Sequence, residues 1–329
     1  MSFKALVTNQ QDGSVSAAIT TLDETQLPAG DVEVAIEYST INYKDGLVVT
    51  SGGGLVKNYP HIPGIDFAGK VSASTHASYK VGDNVVLTGW RVGEIHWGGY
   101  AQKARVKGDW LVALPSGLSS AQAMAIGTAG FTAMLAVMAL EAQGVTPNSG
   151  PILVTGAGGG VGSVAIAILA SLGYTVTAST GRLDLTDYLT QLGATQVIDR
   201  SVFAEPAKRP LESEAWAGVI DSVGGNTLAR ALAQLKYNGV IASVGLAQGA
   251  KFEATVIPFL LRGAKLIGID SVMCPLDKRR QAWSRISQCL EPKKLASMTQ
   301  TIPLNQVPEY ASHILKGQVK GRVVVDVNA

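Results

Sequence analysis

Cysteine is nearly absent from this chain: Cys274 and Cys289 are the only two among 329 residues. Two thiols cannot build a disulfide framework or a four-cysteine zinc lobe, and they leave a reducing compartment open. Both fall in or near a helix expected around 277–290, where they read as packing or surface thiols. Histidine is also scarce, and His61, His76 and His96 in the first part of the chain lack the short spacing of metal ligands. No metal is therefore expected, and alcohol polarisation by zinc is set aside. Charged residues make up only 16% of the chain and balance to +2. Without a dense Lys/Arg run, no nucleic-acid partner is expected. There is no G-x-S-x-G elbow and no P-loop lysine, which argues against hydrolase and kinase chemistry. The first residues, MSFKALVTNQ, do not have the basic-then-apolar layout of a signal peptide. Two long uncharged stretches, 111–140 and 142–181, are broken by Pro115, Gly117, Gly127 and Gly130, and by Pro147, Pro151 and the glycines of 156–162. They read as buried elements rather than membrane spans. A soluble, cytoplasmic protein with no membrane partner is the expectation.

What is present is apolar and periodic. The chain is 47% hydrophobic and long enough for two domains. Between 151 and 271, short β-branched runs begin near Ile152, Thr175, Thr195, Ala217, Val240 and Leu266. Helical faces lie between them: Val161, Val164, Ala165, Ile168, Leu169 and Leu172 before Gly173, then Leu185, Tyr188, Leu189 and Leu192 before Gly193. A third face carries Leu228, Ala231, Leu232 and Leu235. Six strands alternating with helices predict an α/β fold with a doubly wound, six-stranded parallel sheet. Residues 1–115 instead show β-like runs separated by Gly, Pro and Asp turns, with no helix repeat, and predict a compact β domain. A strand–helix–strand tail (TIPLN, VPEYASHILKG, GRVVVDV) matches that first half in style. The expected domains are therefore 1–125 with 296–329, and 126–295.

The run PILVTGAGGGVGSVAIAILA sets glycines 156, 158, 159, 160 and 162 between a strand and a helix. A turn without Cβ atoms lets a pyrophosphate approach the backbone, and the helix N-terminus presents free N–H groups to it. The strict fingerprint is met as Ala157–Gly159–Gly162. About twenty residues on, an NAD-binding chain would place a carboxylate for the ribose hydroxyls. This chain has Ser179, Thr180, Gly181 and Arg182 there. An arginine suits a 2′-phosphate that a carboxylate would repel, so NADPH is the expected cofactor, with Arg200 as a second cation.

Several stretches together resemble a known family: INYKDGLVVT (41–50), IPGIDFAG (62–69), GTAGFTAMLAVMALE (127–141), VTGAGGGVGS (154–163), STGR (179–182) and GQVKGRVVVDV (317–327). They resemble the zinc-free branch of the medium-chain dehydrogenase/reductases, in the group that includes quinone oxidoreductases and acyl-CoA reductases. One departure is Gly158, where the group often has serine. The resemblance implies a GroES-like β domain beside a Rossmann domain. It also implies NADPH contacts at Tyr43, Gly158, Gly159, Gly160, Val161, Gly162, Ser179, Thr180, Gly181, Arg182, Arg200, Leu246, Leu260, Ser271 and Asn328. The implied reaction reduces the double bond of acrylyl-CoA by hydride transfer to the β-carbon. In INYKD, Tyr43 is the first choice to stack on a nicotinamide or relay a proton. Asn42 is a candidate donor to an oxygen, and Asp45 orients a neighbour or caps a helix starting at Gly46. Thr128 is placed to reach the nicotinamide amide or to cap a helix, and Lys57 and Arg91 are candidate contacts for coenzyme A phosphates. Two other functions stay open: a quinone or small-enone reductase, and a non-catalytic NADPH sensor. A homodimer is expected by sheet extension, either at 240–245 or at the strand from Leu266.

Overall fold

A computed structural model describes residues 1–329. The chain begins with β1 (Ser2–Gln11), β2 (Ser14–Asp23), β3 (Val32–Thr40) and helix α1 (Tyr43–Ser51). Strands β4 (Asp66–Ser74), β5 (Asn84–Thr88), β6 (Lys103–Val106) and β7 (Val112–Ala113) lead into the long helix α2 (Ser120–Ala142). Alternation follows, with β8 (Ile152–Thr155), α3 (Gly160–Ser171), β9 (Val176–Thr180), α4 (Thr186–Leu192) and β10 (Gln196–Asp199). It continues through β11 (Trp216–Asp221), α5 (Gly225–Ala233), β12 (Leu235–Ser243), α6 (Ile257–Arg262) and β13 (Lys265–Gly268). The tail adds α7 (Leu276–Cys289), α8 (Pro292–Ser297), β14 (Thr299–Pro303), α9 (Val307–Leu315) and β15 (Arg322–Asp326).

The contacts divide the chain into two units. The first holds Met1–Thr128, Ser271–Ser287 and Leu295–Ala329; the second holds Ala129–Asp270 and Gln288–Lys294. In the first unit the sheet order is β14-β15-β3-β4-β5-β7, with β6 also on β3. Strand β3 alternates, putting Val32, Val34 and Ile36 into the core. A separate hairpin, β1–β2, turns at Asp12–Gly13, where both residues have positive φ, as a tight primed turn requires. The tail does return to the first half, since β15 pairs antiparallel with β3.

Three details differ from the sequence reading. Helix α1 exists within the first 115 residues and starts at Tyr43, not Gly46, because Asn42 is its N-cap. Nine residues with a glycine inside give too short a stripe to read as a repeat. Residues 271–287 join the first unit instead of the second, because Arg279 of α7 is fully buried there. Its guanidinium donates to Thr88 O at 2.6 Å, Thr88 Oγ1 at 2.8 Å and the carbonyls of Ser271, Val272 and Cys274. It also lies 5.0 Å from the Trp90 ring centroid. Five oxygens and an aromatic face satisfy a charge that has no carboxylate partner among these contacts. Leu235, expected on a helix face, opens β12.

The second unit is a parallel sheet in the order β10-β9-β8-β11-β12-β13. Numbered from its first strand this is 3-2-1-4-5-6, so the strand order reverses between β8 and β11, the position at which doubly wound folds bind ligands. Five of the six strands start within one residue of the predicted positions; β12 starts five residues early, at Leu235 rather than Val240. Leu153, Val219, Ile241, Leu228 and Leu232 build part of its core. Because β12 lies inside the sheet, 240–245 offers no free edge; β13 does. Helix α2 is long and apolar enough to cross a membrane, but 83% of its most apolar window is buried in the protein.

Candidate active site

In the second unit, β8 runs into the glycine turn and α3. Helix α3 spans 12 residues, and its N-cap, Gly159, makes no side-chain cap. The first-turn N–H groups are therefore available to an anion. A Cβ on Gly162 would lie 2.5 Å from Gly156 O and 2.7 Å from Ala157 Cα, so only glycine lets the helix sit this close to the turn. Beyond β9 the chain folds over the turn. A Cβ on Gly158 would stand 3.2 Å from an Arg182 Nη and 2.8 Å from Leu185 Cδ1. Arg182 thus overhangs the cradle, and the serine common at position 158 would crowd it. Arg200 Nε lies 2.4 Å from where a Gly181 Cβ would be, so Arg182 and Arg200 flank Gly181. Asp199 fixes Arg200 by capping its 3-10 turn through Ser201 N at 2.7 Å. Ser179 and Thr180 are buried, and the Thr180 hydroxyl accepts from Arg182 N at 3.1 Å. The Thr180 hydroxyl thus holds the loop, with Gly181 exposed and Arg182 half-buried. Leu246 and Leu260 are both exposed.

Sequence reasoning missed Asp221 at the end of β11. It is fully buried and accepts from Thr155 Oγ1 at 2.6 Å, Gly224 N at 2.9 Å and Val223 N at 3.3 Å. Burial pushes its carboxyl above the usual range despite these bonds. Asp221 ties the β11–α5 turn to the end of β8, on the two strands between which the order reverses. A lone acid ending the apolar run WAGVID was the available signal.

The first unit carries a buried polar cluster beneath α1. Asp45 is the third residue of the helix and closes a capping box: its Oδ2 accepts from Asn42 N at 2.9 Å and Asn42 Nδ2 at 3.2 Å. Its Oδ1 accepts from Ile65 N at 2.9 Å. Asn42 Nδ2 also donates to Asp66 Oδ2 at 3.1 Å, and Thr128 N donates to the same oxygen at 2.7 Å. Arg322 closes the cluster through Ala125 O at 2.8 Å, Thr40 Oγ1 at 3.0 Å and Asn42 Oδ1 at 3.5 Å. Burial, then the Asp66 charge, pushes Asp45 up to about 7. Burial raises Asp66 to about 6, opposed by the Arg322 guanidinium. With one proton between the two carboxyls, the pair and Arg322 are neutral together, which is how a buried cluster avoids a net charge.

This arrangement decides what each candidate side chain can do. Asn42 and Asp45 are committed to the interior and position the first turn of α1. Asp45, fully buried, caps the helix through Asn42 and accepts from Ile65 N. Tyr43, next to Asn42, is 47% exposed. Thr128 has its N–H taken by Asp66 just past Gly127, whose φ of 50° and ψ of −160° break α2. Ser271 spends its carbonyl on Arg279. Asn328 is held at both ends of its amide, by Ile36 O at 3.1 Å and Gln102 Nε2 at 3.3 Å. The structure gathers Asn42, Asp45 and Thr128 into one cluster and the glycine turn, Arg182 and Arg200 into another. Asp66 and Arg322, which join the first cluster, were not foreseen.

Two family models match the chain, one in each unit's main stretch. The alcohol dehydrogenase GroES-like domain matches residues 28–116, and the zinc-binding dehydrogenase domain matches 160–288. No group of three His, Cys, Asp or Glu side chains is placed to hold a metal ion. The pairing of these domains defines a nicotinamide-dependent oxidoreductase of two parts, and the chain belongs to the medium-chain dehydrogenase/reductase family. Acrylyl-CoA reductase AcuI of Ruegeria pomeroyi is 62% identical over 329 residues, covering 99% of this chain and 100% of that protein. The crystal structure of Escherichia coli K-12 YHDH with bound NADPH is 52% identical with a TM-score of 0.96, covering 98% of this chain and 100% of that one. Bacillus subtilis yhfP, solved with NAD bound, is 43% identical with a TM-score of 0.96, covering 99% of each chain.

Proposed function

We propose that this chain is an NADPH-dependent reductase of the carbon–carbon double bond of acrylyl-CoA, giving propionyl-CoA. The observation that carries the reading is 62% identity to acrylyl-CoA reductase AcuI, end to end. The cofactor choice rests on the chain's own residues. Family membership leaves it open, since one similar structure holds NADPH and another NAD. Residues 179–182 contain no carboxylate, Arg182 overhangs the cradle, and Arg200 flanks Gly181.

The α3 N-terminus would hold the pyrophosphate, with Arg182 and Arg200 on the 2′-phosphate. NADPH supplies the hydride that reduces the β-carbon. Tyr43 offers an exposed ring as a stacking face and a hydroxyl free of bonds within the chain. The Asn42–Asp45–Asp66–Arg322 cluster fixes the helix turn that presents it, so the ring is held in place before substrate arrives. Asp221 holds the β11–α5 turn beside the cradle.

The test is NADPH consumption with acrylyl-CoA, crotonyl-CoA and a simple quinone, each repeated with NADH. Acrylyl-CoA with NADPH is expected to give the highest kcat/KM. A higher value for the quinone moves the chain to the quinone-reductase reading. NADPH binding without turnover of any acceptor moves it to the sensor reading.

The assembly proposed is a homodimer. Strand β13 is a free sheet edge, and beside it Val256, Leu260 and Leu261 are 65%, 73% and 63% exposed. An open edge next to three exposed apolar side chains is a liability unless a second copy covers both. Sedimentation should give a dimer, and Leu261→Glu a monomer. A monomeric wild-type chain removes the proposal. Two free cysteines and a nicotinamide cofactor fit the cytoplasm.

A further inference from the structure

The loop after β5, residues 89–98, carries a consecutive pair of left-handed residues that are not glycine: Trp90 at φ 56° and Arg91 at φ 58°. Elsewhere only Asp12 and Asn238 do this, and those residue types tolerate it. For tryptophan and arginine the conformation is strained and persists only where the surroundings impose it. Here they do. Trp90 N donates to Val272 O at 2.9 Å, and its ring faces the buried Arg279 guanidinium. The Arg91 carbonyl accepts from Glu94 N at 3.2 Å, Ile95 N at 3.0 Å and His96 N at 3.4 Å. Glycine or asparagine would build the same turn with less strain. The guanidinium is therefore not there to serve the turn.

What the turn does is aim Arg91. Glu94 is buried, with its side chain 5% exposed, and binds two cations. One carboxylate oxygen takes Lys44 Nζ at 2.8 Å; the other lies 3.7 Å from Arg91 Nε. That second distance is an ion pair without a hydrogen bond, so the fork of Arg91 donors remains unspent while its side chain is 48% exposed. The local sum of Lys44, Arg91 and Glu94 is one positive charge. Lys44 adjoins Tyr43, so this held cation stands on the same element as the exposed ring at the start of α1. Lys57, the other candidate, is an exposed loop residue with no such frame.

We propose that Arg91, aimed by the strained turn and tethered by Glu94 beside Lys44, binds a phosphate of the coenzyme A portion of the substrate. The proposal rests on the acyl-CoA reading above and assigns its specificity to this residue. A planar guanidinium with free donors on a fixed backbone matches phosphate oxygens two at a time. Lys44, held by Glu94, leaves the local sum positive, which favours an anion at Arg91.

The test compares acrylyl-CoA with acrylyl-pantetheine, which carries the same thioester without any phosphate, in the wild type and in Arg91→Asn. Asparagine keeps the left-handed turn and removes the charge. For acrylyl-CoA, kcat/KM is expected to fall about tenfold, mainly through KM. For acrylyl-pantetheine and for the KM of NADPH, the change should stay within twofold. Arg91→Lys should recover part of the loss. An equal fall with both thioesters means the residue only holds the loop, and overturns the proposal. So does an unchanged KM for acrylyl-CoA. A raised KM for NADPH assigns the residue to the cofactor's phosphate and overturns it too. Wild-type inactivity with both thioesters, while a quinone is reduced, removes the acyl-CoA reading and this proposal with it.

Discussion

Replacing Arg182 by glutamine should convert a cofactor preference into near indifference. The guanidinium is half-buried over the glycine turn, with an Nη 3.2 Å from the Cβ position of Gly158 and Leu185 beneath. A charge-assisted hydrogen bond contributes about 1.5–3 kcal/mol, and partial exposure favours the lower half of that range. Arg200 remains beside Gly181 and keeps part of the phosphate interaction. The expected loss is then about 2 kcal/mol, roughly thirtyfold in kcat/KM for NADPH. NADH carries no 2′-phosphate, so its kcat/KM should move by less than about threefold. Steady-state absorbance with saturating acrylyl-CoA gives both constants, and fluorescence titration of each nucleotide checks them without any acceptor. Glutamine keeps the aliphatic base and a polar neutral head, and the Arg182 N–H to Thr180 Oγ1 bond is backbone-borne, so the loop over the turn should survive. If NADPH and NADH fall together, Arg182 is holding the loop rather than a phosphate. If neither falls, the cationic reading of residues 179–182 is wrong.

Other consequences are as direct. Gly127→Ala places a Cβ 2.7 Å from Arg322 Nη2, 2.8 Å from Thr40 Cγ2 and 2.9 Å from Asp66 Oδ2, at a φ of 50°. Backbone strain and overpacking together should lower stability by about 3 kcal/mol in urea unfolding, and a loss below about 1 kcal/mol would contradict the crowding. Asp45 and Asp66 bind protons more tightly folded than unfolded, so their contribution to stability declines as pH rises from about 4 through about 7. Asp66→Asn removes one of these groups and relieves the other. It should therefore be more destabilising at pH 5 than at pH 8, and the reverse order in paired urea titrations would show that the carboxyls are ionised throughout. Tyr43→Ala should lower kcat/KM about tenfold while Tyr43→Phe costs less than threefold, as expected of a stacking ring. Equal losses would place the hydroxyl in the chemistry instead.

The second unit was legible because its signals are local. A strand, a tight turn and a helix recur at a nearly constant interval, and the inner strands β8, β9 and β11 are buried on both faces. The glycine turn and Arg182 lie within thirty residues of each other, on consecutive strands. The first unit hides its polar cluster because the members are brought together only by tertiary structure. Asp45 and Asp66 are 21 positions apart, and Arg322 reaches them from the far end of the chain. Arg279 was invisible for a different reason. In DKRRQ it looks like one of a solvated run of charges, and only packing shows that Lys278 and Arg280 lie outside while Arg279 points in. Helix α1 showed in the sequence only as a cap at Asp45, with its start placed three residues late, since its stability comes from that cap and from packing on α9, neither of which leaves a repeat.

The return of β15 to β3 has a consequence for how the molecule comes into being. Residues are made in order, and domains tend to fold as units during synthesis. The second unit has nearly all its residues, 129–270, well before β15 is made. The first unit does not: its sheet lacks β14 and β15, and Asp66 lacks the guanidinium of Arg322, until the last stretch emerges. Until then Asp66 waits for the guanidinium that offsets its charge. Assembly of the first unit therefore waits for β14 and β15, and a chain cut before Thr299 should yield a nucleotide-binding unit attached to an incomplete sheet without Arg322.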